Sequence, residues 1–276
     1  MEYIKTSGAT IPALGFGTYE LTGSACKAAI STALETGYRH IDTAQIYANE
    51  QDVGDALAAS GVPRDEIFLT TKVWMDHVAD GALQKSVDES LKKLKTDHVN
   101  LLLIHWPVLD VPLADQIKAL RQVQDEGKAK LIGVSNYPVA MLEICRETLD
   151  APLVTDQVEY HPFLSQTPLL DYLRRHNMFL TAYSPLARGH VRDNPLLQAM
   201  GKKYGKTPGQ ITLRWLIQQG DVAAIPKAGN AEHISSNFDI FDFELSDIDM
   251  QDIHALAKPD GRIINPAWAP KWDKAA

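Results

Sequence analysis

The alternation of apolar strands and amphipathic helices along this chain predicts an α/β protein built as a parallel (β/α)8, or TIM, barrel. Three observations carry the prediction. Eight strand-like runs alternate with eight helical patterns, without a linker or a shift of composition between them. Each run ends on a polar or ionisable residue, as expected where chemistry gathers at one rim of a barrel. The length of 276 residues, 45% hydrophobic and 22% charged, suits a single barrel domain over residues 1–276 with a substantial core.

The chain opens on two short alternating runs around Ser7-Gly8, a hairpin-like lid. Strands are then expected at residues 14–17, 39–42, 67–73, 99–105, 130–134, 154–158, 179–183 and 222–225. Helical periodicity lies between and after them, near residues 24–36, 50–59, 80–95, 113–126, 138–149, 167–176, 208–219 and 230–238. Two pieces fall outside the repeat: an extra helix near 246–257 and a Pro- and Trp-rich tail, 258–276. The tail has little periodicity, so it is expected to lie across a surface, and the mouth of the barrel is the surface worth covering.

A net charge of −8 and no run of Lys or Arg argue against nucleic acid or an anionic membrane as partner. No stretch approaches the roughly 20 apolar residues of a bilayer span, and Met1-Glu2-Tyr3-Ile4-Lys5 lacks the apolar core of a secretory signal. A cytoplasmic protein is expected. Cys26 and Cys145 stand far apart in helix-like segments, which encodes neither a disulfide framework nor a metal site. With no coiled coil or symmetric interface legible, a monomer is the expectation.

Read at their C-terminal ends, the strands offer Thr18, Asp42, Lys72, His105, Ser135-Asn136, Gln157, Tyr183 and Lys227. Tyr47, in the loop after Asp42, is the group suited to give a proton to a carbonyl oxygen. Its ordinary pKa of about 10 is high for that task at neutral pH. Lys72 is expected to stabilise the phenolate and lower that pKa, Asp42 to hold the ammonium, and His105 to polarise the carbonyl. Singly, each has a structural reading: a loop cap, a packed phenol, a salt-bridged lysine, a strand-end histidine. Gly15-Phe16-Gly17 lacks the third glycine and the βαβ context of a dinucleotide fingerprint.

These residues also carry a resemblance. Gly37-Tyr38-Arg39-His40-Ile41-Asp42-Thr43-Ala44 with Tyr47, Thr70-Thr71-Lys72-Val73-Trp74, Leu102-Leu103-Ile104-His105-Trp106-Pro107 and Ile132-Gly133-Val134-Ser135-Asn136-Tyr137 resemble the active-site blocks of aldo-keto reductases. The compact Leu186-Ala187-Arg188-Gly189-His190 loop and the ending Gly261-Arg262-Ile263-Ile264-Asn265-Pro266 are similar to the short bacterial 2,5-diketo-D-gluconate and methylglyoxal reductases.

The resemblance implies hydride transfer from a nicotinamide cofactor to a substrate carbonyl, with Tyr47 as proton donor. It implies that Ser135, Asn136 and Gln157 bind the carboxamide and that Tyr183 stacks under the ring. Ser184 and Leu186 would contact the pyrophosphate and Thr18 the ribose. Lys227, His233 and Asn237 would meet the adenosine end. NADPH-selective members usually carry Lys-Ser or Lys-Thr and an arginine where this chain has Lys227-Ala228 and His233, so NADPH is expected with some use of NADH. Tyr19, Ile46, Trp74, Trp106 and Trp268 would line an aromatic substrate pocket. Two other functions stay open at this stage: a nicotinamide-nucleotide-sensing regulatory protein on the same barrel, and a Schiff-base aldolase using Lys72.

Overall fold

The computed structural model describes residues 1–6 and 9–273. Eight parallel strands form the barrel: β3 (Phe16–Gly17), β4 (His40–Asp42), β5 (Phe68–Val73), β6 (Val99–Ile104), β7 (Ala129–Ser135), β8 (Leu153–Glu159), β9 (Phe179–Tyr183) and β10 (Val222–Ala224). They neighbour one another in chain order from β3 to β10. Leu14 then bridges in parallel to Ala224, and the Gly15 N–H donates to the Ala224 carbonyl at 2.8 Å, which closes the sheet on itself. At this seam a Cβ on Gly17 would come within 2.8 Å of the Ile225 carbonyl oxygen, so only glycine lets the two backbones approach.

Antiparallel β1 (Tyr3–Thr6) and β2 (Ala9–Pro12) precede the barrel. The expected turn at Ser7-Gly8 lies outside the described residues. This hairpin covers the N-terminal end of the barrel, opposite the rim where the polar strand ends collect. Thr6 donates to the Asn177 carbonyl just before β9, Glu2 pairs with Arg214, and the Pro12 carbonyl lies 3.2 Å from His40 Nδ1.

The helices are α1 (Gly23–Thr36), α2 (Glu50–Ala59), α3 (Ala82–Leu94), α4 (Leu113–Asp125), α5 (Val139–Glu143), α6 (Thr167–Arg175), α7 (Pro195–Tyr204), α8 (Pro208–Ile217), α9 (Ala231–Phe238) and α10 (Asp247–His254). Each turns an apolar stripe to the sheet. In α3, for example, Leu83, Val87, Leu91 and Leu94 are buried at helical spacing, each contributing about 1.5–3 kcal/mol. None of the described helices is long and apolar enough to cross a membrane.

Three elements depart from the expected pattern. Helix α7 was not anticipated, although its ends are written in the chain: Asn194 caps it by accepting from Leu197 N–H, Pro195 opens it and Gly205 closes it with φ 67°. The helix expected at 138–149 divides into α5 and a π-helical stretch, Ile144–Thr148. The helix expected at 246–257 stops at His254.

Strand periodicity sets the inner layers. His40 and Asp42 point into the barrel from β4, as do Thr70 and Lys72 from β5, because alternate residues share a face. His40 and Thr70 make contact at 3.2 Å, with Asp42 and Lys72 one layer above. The intervening Thr71 points outward, where its hydroxyl donates to Glu50 of α2 at 2.6 Å.

After α10 the tail runs without regular structure over the C-terminal rim. Its docking begins where Lys258 N–H donates to the Phe163 carbonyl at 3.0 Å. A Cβ on Gly261 would lie 1.7 Å from that same oxygen, so glycine permits the tail to lie flat there.

Candidate active site

The four residues predicted to carry the chemistry converge at the C-terminal rim. Lys72, fully buried on β5, donates to Asp42 Oδ1 at 2.5 Å, to the Thr43 carbonyl at 2.8 Å and to the Tyr47 hydroxyl at 3.4 Å. Asp42 Oδ2 accepts from Gln157 Nε2 at 2.8 Å, a contact across the barrel from β8. Every polar atom of the Asp42–Lys72 pair is therefore engaged, as a buried ion pair requires.

Tyr47 ends a single 3-10 turn, Gln45–Tyr47, whose geometry places its ring against His105 with centroids 5.7 Å apart. Its position on a loop is fixed from outside. Gln45 accepts from Trp74 N–H at 2.9 Å, and Thr43 Oγ1 donates to Asn49, whose amide donates to the Thr18 and Leu21 carbonyls.

Electrostatics revise one expectation. Burial holds the Tyr47 phenol well above its ordinary value, and Asp42 and Tyr19 push it the same way, so the phenol is not lowered in the free protein. The consequence is a phenol that stays protonated at neutral pH with a cation 3.4 Å away to receive the charge it would leave behind.

Burial pulls the Lys72 ammonium down and Asp42 opposes that pull. Buried and bonded to three oxygens, this lysine has no free lone pair or approach for a Schiff base, which removes the aldolase reading.

His105 follows β6 directly, and its N–H bonds the Val73 carbonyl at 3.0 Å. Burial, with Lys72 adding, holds its imidazole well below the ordinary histidine value, so the ring is neutral. Nδ1 is buried without a partner among the described residues. A neutral ring whose proton sits on Nε2 satisfies both facts and leaves an N–H donor toward the cleft.

The residues expected at a nicotinamide form one preset network. Ser135 Oγ donates to the Gln157 carbonyl at 2.7 Å, and Asn136 Nδ2 donates to Ser135 Oγ and to the His105 carbonyl, both at 3.0 Å. Tyr183 donates to Asn136 Oδ1 at 2.9 Å. Gln157 spends its amide N–H on Asp42, which leaves its carbonyl oxygen as the end able to accept from a ligand. Asn136 holds φ 66°, a left-handed conformation that turns the chain sharply after β7.

Beyond β9, Ser184, Ala187, Arg188 and Gly189 all have positive φ, from 47° to 95°. The Ala187 and Gly189 N–H groups are taken by the Ser184 and Leu186 carbonyls, both at 2.8 Å, so these residues fold the segment into consecutive tight turns. Thr18 is fully buried with Oγ1 on the Asp42 carbonyl at 3.1 Å, and Leu186 is half-buried within those turns. Lys227 Nζ lies 3.7 Å from Glu20 on the adjoining rim. His233 is exposed in the first turn of α9, where its N–H donates to the Asn230 cap at 2.8 Å, while Asn237 is buried. Lys227 thus stands by the seam where β10 meets β3, with His233 and Asn237 on the helix that follows.

The expected aromatic wall is present and longer than anticipated. Tyr19 meets Tyr47 at 5.1 Å, Trp74 meets His105 at 5.2 Å, and Trp268 from the tail meets Trp106 at 4.8 Å and Trp74 at 6.1 Å. Ile46 is exposed beside Tyr47. Trp272 extends the wall, 6.0 Å from Trp106, with the Arg262 guanidinium stacked 3.7 Å from its ring centre. Arg262 entered the sequence reading only within the ending Gly261–Pro266, and neither Trp272 nor Glu159 was singled out; the Glu159 carboxylate accepts from the tail amides of Ile263 and Ile264 at 2.7 and 2.8 Å. An acidic strand end facing a non-periodic tail was the signal available for that latch.

A barrel with these polar strand ends defines a class, and comparison bears it out. The aldo/keto reductase family model matches residues 13–258, so the chain belongs to the aldo/keto reductase family and is an NAD(P)H-dependent oxidoreductase acting on small carbonyl substrates. The chain is 38% identical over 270 residues to the methylglyoxal reductase DkgB of Salmonella typhi, covering 96% of this chain and 100% of that protein. A crystal structure described as a candidate 2,5-diketo-D-gluconic acid reductase B superimposes with TM-score 0.97 at 49% identity, over 99% of this chain and 98% of that one. A variant of Gox0644 crystallised with NADPH has TM-score 0.90 at 32% identity, with 96% of each chain covered.

Proposed function

We propose that this enzyme reduces aldehydes, activated ketones and dicarbonyls to alcohols with NADPH, and that Tyr47 delivers the proton. The observation that carries the reading is the line from Asp42 through Lys72 to the Tyr47 hydroxyl, at 2.5 and 3.4 Å. When bound, a nicotinamide nucleotide supplies the hydride. The chain's own residues do the rest. Tyr47 passes its proton to the carbonyl oxygen, and Lys72 stabilises the phenolate that forms. Neutral His105 donates from Nε2 to the same oxygen and orients it.

The cofactor reading rests on the fit of the rim to such a ligand. Ser135, Asn136 and the Gln157 oxygen form a ready set for the carboxamide, and the half-exposed Tyr183 ring offers it a platform. The Ser184–Leu186 stretch, in the turns after β9, would meet the pyrophosphate, with Thr18 behind the ribose. Lys227 provides a cation for a 2′-phosphate, and His233 lacks the permanent charge that would make the selection strict. Methylglyoxal and 2,5-diketo-D-gluconate are the substrates suggested by the relatives, and the aromatic wall of Tyr19, Ile46, Trp74, Trp106 and Trp268 suits a broad range of small carbonyls.

Tyr47→Phe tests the centre of this reading. Turnover of methylglyoxal is expected to fall by about a thousandfold, with NADPH affinity by fluorescence titration changed by less than about twofold. Wild-type turnover in the variant would sink the assignment. Parallel kinetics with both nucleotides test the cofactor: an NADH efficiency equal to that of NADPH would overturn the preference.

A further inference from the structure

The Arg262 guanidinium has no place in the chemistry above, and it is unusually placed for a tail residue. Among the described residues no acceptor meets any of its N–H groups, and Nη1 is buried without a partner. An unpaired buried donor is costly, more so when charged, and calls for an explanation. The Glu159 carboxylate is already spent, and Asp273 is engaged through one oxygen. Glu159 Oε1 accepts from His161 Nε2 at 2.9 Å and from Ile263 N–H at 2.7 Å, and Oε2 accepts from Ile264 N–H at 2.8 Å. The Phe163 N–H donates to His161 Nδ1 at 3.3 Å, which keeps the imidazole proton on Nε2, facing Glu159. Asp273 Oδ2 accepts from Val139 N–H at 3.0 Å.

The guanidinium is nevertheless held still. It stacks 3.7 Å from the centre of Trp272, a cation–π contact that fixes the plane of its fork. The Glu159 latch pins the two residues that follow it, and Trp272 Nε1 donates to Asn265 Oδ1 at 2.9 Å, which holds the platform. With Nη1 buried, the edge left open is Nε with Nη2. Arg174 uses that same edge in this protein to grip Asp221, at 2.5 and 3.1 Å.

The position completes the picture. Trp272, on which the fork stacks, adjoins Trp106 at 6.0 Å, and Trp106 continues through Trp268 and Trp74 to His105. The fork therefore joins the tail end of the aromatic wall that lines the Tyr47 site. Two other cations of the rim are already paired: Lys72 with Asp42, and Lys227 with Glu20 at 3.7 Å.

We infer that Arg262 is a carboxylate-binding subsite, which selects carbonyl substrates carrying an anionic group at the end remote from the reacting carbonyl. This rests on the proposed reductase reading of the Tyr47 site and adds to it a charge preference. A planar fork preset by stacking binds a carboxylate bidentately at little cost in side-chain ordering. The nearby Glu159 does not compete for the fork, since its oxygens already accept from His161 and two amides.

Two matched pairs test the inference: 4-carboxybenzaldehyde with its methyl ester, and succinic semialdehyde with its methyl ester. In the wild type the acid of at least one pair should have a KM about tenfold below that of its ester. Arg262→Gln should raise the KM of that acid about tenfold, leaving its kcat, the ester's KM and NADPH affinity within about twofold. Arg262→Lys should recover only part of the preference, because an ammonium is a point charge without the fork. Acid and ester shifting together would reduce Arg262 to a tail fastener and overturn the inference, as would no shift in either. Terephthalate, which has no reducible carbonyl, separates this outcome from failure of the reductase reading. It should quench tryptophan fluorescence of the NADPH-loaded wild type about tenfold more tightly than that of Arg262→Gln, and equal binding to both would overturn the subsite even if no carbonyl were turned over.

Discussion

Asp42 and Asp156 are buried carboxyl groups on strands of the same barrel, and they face opposite sides of it. Asp42 points inward, where both oxygens are taken, one by Lys72 and one by Gln157. Asp156, next to Gln157 on β8, points outward between the sheet and the Cys145 region, where Oδ1 has a long contact of 3.4 Å with Tyr137 N–H and Oδ2 has no partner. Burial pushes the Asp156 carboxyl well above its usual range; the Tyr137 and Asn136 amides oppose that, and Asp273 on the tail reinforces it. One residue of strand register separates a charge that serves a site from a carboxyl driven toward its neutral form.

Removing the inward cation breaks the comparison most severely. Lys72→Met should lower turnover about a thousandfold and cost about 3 kcal/mol of stability, because Asp42 is left buried and unpaired. The double variant Asp42→Asn with Lys72→Met should regain much of that stability and none of the turnover. Denaturant unfolding of both decides the matter. A double variant no more stable than the single one would mean that the pair is not what holds the rim.

A gentler change on the outward side should act in the opposite sense. The folded pKa of Asp156 is raised above its unfolded value of about 3.9. The folded state therefore holds that proton more tightly, and the contribution is full below about pH 4 and lost as pH rises through the folded value. Asp156→Asn lacks this loss. Its melting temperature should exceed the wild type's by about 3 °C at about pH 8, with the gap closing toward about pH 4. A gap independent of pH would show that the carboxyl does not titrate in that way.

The smallest effect is expected where the site has already excluded a charge. Burial, and Lys72 after it, keep His105 neutral, so kcat/KM should be flat between about pH 6 and pH 8. An inflection near pH 6.5 that disappears in His105→Gln would contradict a neutral imidazole.

Much of the rim was legible because it is written at strand ends. Asp42, Lys72, His105, Ser135, Gln157 and Tyr183 each close an apolar run, and a parallel barrel brings such ends together whatever lies between them. Helix α7 was legible too and went unread, since Asn194-Pro195 and Gly205 mark both its ends. Trp272, Arg262 and Glu159 were not legible as a group. Their relation depends on where a tail without periodicity crosses the rim, and no local pattern encodes a contact between residues 159 and 263. The expectation of a lowered Tyr47 phenol fails for a different reason: converging strand ends suggested a cation beside it, and Lys72 stands at 3.4 Å, but burial holds the phenol high.

By itself, then, the amino-acid sequence determined the barrel, the order of its polar strand ends and the family, because hydrophobic period and strand-end chemistry are local properties. Only the tertiary structure decided that Gln157 completes Asp42 from across the barrel, that His105 is neutral and that Asp156 is stranded on the outer face. It also decided that the tail stacks the Arg262 guanidinium on Trp272, next to Trp106. Protonation and partnership depend on distance and on exclusion of water, and both arise when residues far apart in the chain pack together.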